Sequence, residues 1–503
     1  MRETERTYDA PPGASLPDLL MLPRVASQAE AEEVTLKATY YDTAAYDLLR
    51  AGITLRQRVG GHDAGWHLKI PVGDRDTRTE LRLSTGPEVS AEFAALLTAR
   101  LRGRPLRPVA KITTRRRTRT LADAVGDPLA EVALDTVTAE ALGASAVLTK
   151  WTEVEVELAD GIEEGAELLK SADRVLRRSG LARSTRRMKL EAALGGSGAP
   201  VPDPPRPARK PMSAGDAVVA YLRGQFEELL AWDLQLRRAQ PDAIHRMRVA
   251  ARRMRAALRE FRPLFTGGSA DDLIDGLRWL GRELSGARDG EALRDLLLAE
   301  LARVPAESVL GPVRARIAGH FAPRLAEAGR QVLEVLGSRH YIELLDDLET
   351  FAADPPFSAD ADKRATETLP HLARHAQARV KRRMRTACRT SGKTRDTALH
   401  DVRKAAKRAR YAAEAASLAS GKHARKSAKA LKKLQSSLGD HHDAVIAAAE
   451  LRGLAIQANA EGENSYTYGI LHECMNERTR RFAERAEHYW RRAGRRERTA
   501  WMT

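Results

Sequence analysis

The sequence predicts an α+β chain: a domain of about eight antiparallel strands, able to close into a barrel, followed by an all-α domain in two lobes. Three observations predict it. Up to about residue 160, apolar and polar residues mostly alternate, the period of a strand. Beyond residue 212 the apolar spacing becomes helical. Within that helical part, one cationic helix face is written twice, 155 residues apart.

Strand candidates lie near residues 2–8, 33–41, 53–59, 64–71, 78–83, 109–120, 128–136 and 150–158. Short helices are expected at 44–51 and 90–101, and a longer one at 162–179. Neighbouring strands stand at hairpin-like spacing, which favours antiparallel pairing, and eight of them can close a barrel. Their polar faces sort by charge. The first strand alternates Glu3, Glu5 and Thr7; the last alternates Glu153, Glu155 and Glu157 against Val154, Val156 and Leu158. Glu131 and Asp135 add acids on the strand before it. Between them the polar faces are basic: Arg56 and Arg58, Lys69, Arg78 and Arg82 flanking Glu80, then Lys111, Arg115 and Arg117. In a half-exposed sheet all of these would face solvent. Turned into a closed barrel, they would form a tunnel for a metal-bound phosphate chain. Carboxylates supply hard oxygen ligands for Mg2+ or Mn2+, and Arg and Lys supply donors for phosphate oxygens.

The acidic first strand, Tyr41-Asp42-Thr43, Leu55-Arg56-Gln57-Arg58, Lys69-Ile70-Pro71, Arg78-Thr79-Glu80-Leu81-Arg82 and Glu153-Val154-Glu155-Val156-Glu157, in that order, resemble a CYTH domain over about residues 1–195. That family is named for class IV adenylate cyclase and thiamine triphosphatase. The resemblance implies an eight-stranded antiparallel triphosphate tunnel. Its divalent metal, Mg2+ or Mn2+, would be held by the acidic strands through Glu3, Glu5, Glu131, Asp135, Glu153, Glu155 and Glu157, with Glu3, Glu5, Glu153 and Glu155 central to catalysis. Triphosphate would be held by Arg56, Arg58, Lys69, Arg78, Arg82, Lys111, Arg115 and Arg117. One position departs from the family pattern: its first strand reads Glu-x-Glu-x-Lys, and here Glu3-Thr4-Glu5-Arg6-Thr7 has threonine where the lysine belongs. Arg6 points to the opposite face. Lys37, on the face shared by Thr35, Thr39 and Tyr41, is the candidate substitute; without one, activity would be weak or lost.

A Gly-rich and then Pro-rich run over 196–211 reads as a linker. Helices are expected over 214–238, 243–264, 270–285, 288–302, 309–335, 364–386, 396–419, 423–438, 441–458 and 467–492. His245, Arg248, Arg252 and Arg255 share one side of the second of these, and His400, Arg403, Lys407 and Arg410 take the same places further on. Leu277, Leu280 and Leu284 before Gly286-Ala287-Arg288-Asp289 return as Leu431, Leu434 and Leu438 before Gly439-Asp440-His441-His442-Asp443. The leucine offset is 154, close to that of the histidines, which indicates a duplicated helical unit. Like charges at this spacing repel by a few tenths of a kcal/mol per pair. Two matching stripes therefore point to an anionic ligand, against the alternative of a solvated Arg-rich face.

These segments resemble the CHAD domain, the conserved histidine alpha-helical domain, over about residues 212–495, leaving 496–503 as a tail. The resemblance implies two pseudo-symmetric helical bundles with a basic surface for inorganic polyphosphate, formed by the eight stripe residues with His441 and His442. The last two also read as packed structural histidines.

Charge follows the same division. Of 84 Lys+Arg and 68 Asp+Glu, 29 of each fall within residues 1–200, so the whole +16 excess lies beyond, where it would draw polyanions. With 5% aromatic residues there are few platforms for base stacking, which argues against nucleic acid as the partner. Cys388 and Cys474 show neither a disulfide framework nor a metal-type spacing, fitting a reducing cytosol. No apolar run approaches the roughly 20 residues of a membrane span, and the N-terminus lacks a secretory signal's apolar core. The expectation is a cytoplasmic triphosphatase, metal-dependent and fused to a polyphosphate-binding domain. The competing expectation is a non-enzymatic polyphosphate-binding protein targeted to polyphosphate granules. Adenylate cyclase ranks below both, since nothing identifies a purine pocket.

Overall fold

The computed structural model describes residues 1–30, 33–61, 63–84, 86, 88–143, 146–162, 165–195 and 212–502. The chain forms two compact units, Met1–Arg206 and Pro207–Thr503. The expected linker over 196–211 lies outside the described residues.

The first unit is an antiparallel barrel. Its strands are β1 (Arg2–Ala10), β2 (Ser27–Glu30), β3 (Val34–Asp42), β4 (Thr54–Val59), β5 (Gly65–Pro71), β6 (Thr77–Leu83), β7 (Arg107–Ala122), β8 (Pro128–Ala141), β9 (Val147–Leu158) and the two-residue β10 (Ala182–Arg183). Eight of them run in the order β1-β6-β5-β4-β3-β7-β8-β9, and β9 pairs back onto β1 to close the ring. The short β2, on β7, and β10, on β1, were not expected from the alternation.

Helices cover the barrel where its outward residues are apolar. After α1 (Asp47–Arg50), α2 (Ala91–Leu101) is N-capped by Ser90, whose hydroxyl accepts the Phe93 N–H at 3.2 Å. The next, α3 (Gly165–Arg178), lays Leu168, Leu169, Ala172 and Leu176 on Val132, Leu134, Val154 and Val156. Each such leucine contributes about 1.5–3 kcal/mol by leaving water. A further short helix, α4 (Lys189–Leu194), was not expected; its Leu190, Ala193 and Leu194 pack with Tyr40, Ile112 and Val137 and close one mouth of the barrel.

The second unit is helical: α5 (Ala214–Arg237), α6 (Ala243–Glu260), α7 (Ser269–Glu283), α8 (Ser285–Leu301), α9 (Val313–Gly337), α10 (Arg339–Ala353), α11 (Ala365–Ala387), α12 (Gly392–Ala460), α13 (Tyr466–Ala493) and α14 (Arg496–Thr499). No helix was expected over α10, although Tyr341, Leu344, Leu345 and Leu348 are buried at helical spacing. Ser338, which ends α9, also caps α10 by accepting the Tyr341 N–H at 3.2 Å. Three expected helices merge in α12, which turns back at Gly421, where φ 58° and ψ −130° suit only glycine. The two arms then run side by side: the rings of His400 and His442 lie 4.2 Å apart, and the Arg403 guanidinium lies over Gly439. The duplication is visible in matched ion pairs. Arg248 meets Asp289 at 2.9 Å, and Arg403 meets Asp443 at 3.9 Å.

Candidate functional site

The barrel encloses a cavity of about 490 Å³. Strand alternation brings Glu3, Glu5 and Thr7 of β1 and Glu153, Glu155 and Glu157 of β9 to its wall, with Arg56, Arg58, Lys69, Arg78, Glu80 and Arg82 from β4, β5 and β6. The acids form two triads, Glu3–Glu5–Glu157 and Asp135–Glu153–Glu155, each with carboxylate oxygens within 4.8 Å of one another.

Their surroundings differ. Lys69 Nζ pairs with Glu3 at 2.6 Å, and Arg78 approaches Glu5 at 3.9 Å. Burial, with Glu3 and Glu5 alongside, still pushes Glu157 up to about 8. This triad holds hard oxygen donors and crowded negative charge, a donor set that fits a divalent ion. In the other triad Lys189 Nζ lies 3.0, 2.6 and 2.5 Å from Asp135, Glu153 and Glu155. Arg116 also reaches Asp135 at 2.6 Å and Glu155 at 2.5 Å. Burial would raise the Glu155 carboxyl, but Lys189 and Arg116 outweigh it and hold it well below the usual carboxylate range.

On the facing wall the buried Glu80 gathers one histidine and three cations. It pairs with His67 Nδ1 at 2.9 Å, Arg82 Nε at 2.6 Å, Arg56 at 3.5 Å and Lys69 at 3.9 Å. Burial opposes ionisation of Glu80, yet His67, Lys69 and Arg56 keep it far below its ordinary range. Arg58 is fixed by Asp63 at 2.5 Å.

In the helical unit, the two stripes converge. Burial and the charges of Arg252, Arg403 and Arg248 push Lys407 down to about 6. His442 is pushed down to about 4 by burial and by His400, Arg403 and Lys407. Arg252 Nε donates to the Tyr411 hydroxyl at 3.1 Å, joining α6 to α12, and His245 is half-buried on α6. Without an anion, these cations repel.

The CYTH domain profile matches residues 1–186 and the CHAD domain profile residues 220–452. Two uncharacterized proteins of Mycobacterium tuberculosis, one from strain CDC 1551 / Oshkosh and one from strain ATCC 25618 / H37Rv, are each 34% identical over 500 residues, covering 96% of this chain and 95% of their own. The chain belongs to the CYTH–CHAD family. Among solved structures, PptA from Streptomyces chartreusis aligns over 56% of this chain and 99% of its own, at 24% identity and a TM-score of 0.48. The CHAD domain from the plant Ricinus communis aligns over 59% and 93%, at 25% identity and a TM-score of 0.38. The CYTH and CHAD domains support a triphosphate-related function; CYTH proteins are metal-dependent, and the acidic triads here could hold a metal. Among the described residues no helix is long and apolar enough to cross a membrane.

Several sequence expectations need correction. In the CYTH barrel, Lys111, Arg115 and Arg117 are exposed on the outer face, and Arg116 points in with Ile112 and Thr114. The expectation set this strand's phase by Lys111, Arg115 and Arg117, which would turn Ile112 outward, but near the mouth closed by α4 the barrel interior is itself apolar and takes Ile112. Lys37 shares that outer face, pairing across strands with Thr113, so it cannot stand in for the missing lysine. Glu131 is exposed at the tunnel's rim, outside both triads. In the CHAD unit, Arg410 is buried and tied to Glu414 at 2.7 Å and Gln435 at 2.8 Å rather than aligned with Lys407. Arg255 feels the charges of Arg259, Arg278, Arg252 and Arg408, and His441 is buried against Asp396 at 3.2 Å. Arg116, His67 and Lys189 were missed. Period two gives no phase in Arg115-Arg116-Arg117, and nothing local marks Lys189, because only the closed barrel brings it to the acids.

Proposed function

We propose that the CYTH unit hydrolyses inorganic triphosphate or a related organic triphosphate with Mg2+ or Mn2+, and that the CHAD unit binds inorganic polyphosphate. The first half is carried by one observation: the Glu3–Glu5–Glu157 triad and the cations Arg56, Arg58, Lys69, Arg78 and Arg82 share one enclosed cavity. An ion held by that triad would supply Lewis-acid polarisation of a phosphoryl oxygen. The cations orient the phosphate chain and neutralise the charge spread over its oxygens. Glu80 holds Arg56, Lys69 and Arg82 in place beforehand, which limits reorganisation during reaction. A phosphate-release screen with each metal across several triphosphates tests this. No release from any of them would remove the enzymatic half.

Thr7 favours a second reading, in which the tunnel only holds its ligand and the protein acts at polyphosphate granules. It lines the cavity opposite Glu155 and brings no cation. If that gap limits phosphate contact, Thr7→Lys should tighten tripolyphosphate binding about tenfold, since a charge-assisted contact is worth roughly 1.5–3 kcal/mol. Calorimetry reads this directly, and an unchanged affinity would show that another cation already fills the place.

The CHAD half carries a pH signature. Lys407 is pushed down to about 6 in the free protein, and a bound polyanion restores its charge. Polyphosphate binding at pH 7 should therefore take up protons, and affinity should fall as pH rises above about 6. Folding has the opposite slope: the unfolded lysine holds its proton to higher pH, so this group makes the free fold more stable as pH rises from about 6. Calorimetry in buffers of different ionisation enthalpy measures the uptake; zero uptake would place Lys407 outside the contact.

A further inference from the structure

We propose that Lys189 is a tethered cation occupying the Asp135–Glu153–Glu155 triad in place of a divalent ion, so that ion entry there and the seating of α4 exclude each other. The inference rests on the reading of the tunnel as a metal–triphosphate site. Both triads draw on β9, with Glu157 in one and Glu153 and Glu155 in the other. Only the second has an ammonium within 3.0 Å of all three carboxylates. A Mg2+ or Mn2+ ion drawing on the same oxygens at about 2.1 Å would occupy nearly the same point. Arg116 adds a second positive charge, so Lys189 and Arg116 already offset most of the three negative ones.

The backbone makes the occupancy conditional. Lys189 is the first residue of α4, and the buried Leu190, Ala193 and Leu194 seat that helix in the barrel mouth. A strongly hydrated ammonium cannot remain buried there without the acids. An arriving ion must therefore displace the side chain toward water and draw the start of α4 with it. Conversely, a seated α4 leaves Glu3–Glu5–Glu157, where Lys69 pairs with Glu3 alone and Arg78 stands 3.9 Å from Glu5, as the triad open to an ion.

The test counts Mn2+ on the full chain without substrate, by calorimetry and by electron paramagnetic resonance of bound Mn2+, so it does not depend on turnover. The parent and Lys189→Arg should bind one ion; Lys189→Met and Lys189→Gln should bind two. Two ions of similar affinity in the parent or in Lys189→Arg would overturn the inference whether or not the neutral variants fold. One ion in neutral variants with a parent-like circular dichroism spectrum would also overturn it, leaving the metal reading of the first triad intact. No bound Mn2+ in any form would instead remove that metal reading, and this inference with it.

Discussion

Glu5→Gln is expected to lower metal-dependent triphosphate hydrolysis by about a hundredfold or more while raising the stability of the metal-free barrel. Glu5 makes only one long ion pair, with Arg78 at 3.9 Å, its side chain is 16% exposed, and its charge also supports the buried Lys69. The amide keeps the volume and removes the charge, so what is lost is mainly a ligand. Lewis-acid stabilisation is worth several kcal/mol, and each 1.36 kcal/mol is tenfold in rate. The stability gain follows from Glu157, which burial and the charges of Glu3 and Glu5 push up to about 8. Folding keeps a proton on Glu157 that the unfolded chain releases near its ordinary carboxylate pKa. Stability therefore falls as pH rises from that value to about 8, and the penalty shrinks once Glu5 is neutral. Phosphate release and thermal melts in chelator measure the two effects. Retained turnover, or a lower melting temperature without metal, would count against the first triad as the metal site.

Replacing Arg252, Arg403 and Lys407 together with alanine is expected to reduce polyphosphate affinity on the order of a thousandfold, taking about 1.5 kcal/mol for each charged contact. The salt dependence should change with it. Each phosphate contact on a linear polyanion contributes roughly 0.7–0.9 to the slope of log affinity against log salt, so losing three should flatten it by about 2. Arg410→Ala provides the contrast. Its guanidinium is engaged by Glu414 and Gln435 and lies 4.7 Å from the Tyr411 ring, so its loss should lower stability more than affinity. Titrations at several salt concentrations decide between them; an Arg410→Ala defect as deep as the triple variant's would restore the sequence-based assignment.

The fold was legible wherever one face of an element had a single chemical character. Val154, Val156 and Leu158 against Glu153, Glu155 and Glu157 specify both a strand and its phase, and the two stripes, 155 residues apart, announce the duplication. The candidate site was legible only in part, because its charges come from different elements. Lys111 and Arg115 look as suitable for phosphate as Arg56 and Arg58 until the apolar α4 mouth is known to take Ile112. Lys189 lies 34 residues beyond Glu155 along the chain and reaches it only through the placement of α4. Residue chemistry names the ligands an element could offer, and closure of the barrel decides which of them meet.

The reversal of α12 at Gly421 also orders the assembly of the cationic cluster. His400 and His442 are 42 residues apart along one continuous hairpin, whereas Arg252 and Tyr411 are separated by 159. Loop-closure entropy grows as three-halves RT times the logarithm of loop length, a difference of about 1.2 kcal/mol in favour of the hairpin. One half of the cluster is thus topologically local and the other is recruited across most of the domain, so the repulsion of Arg248 and Arg252 against Arg403 and Lys407 is added only at the later step, on top of the repulsion within each helix.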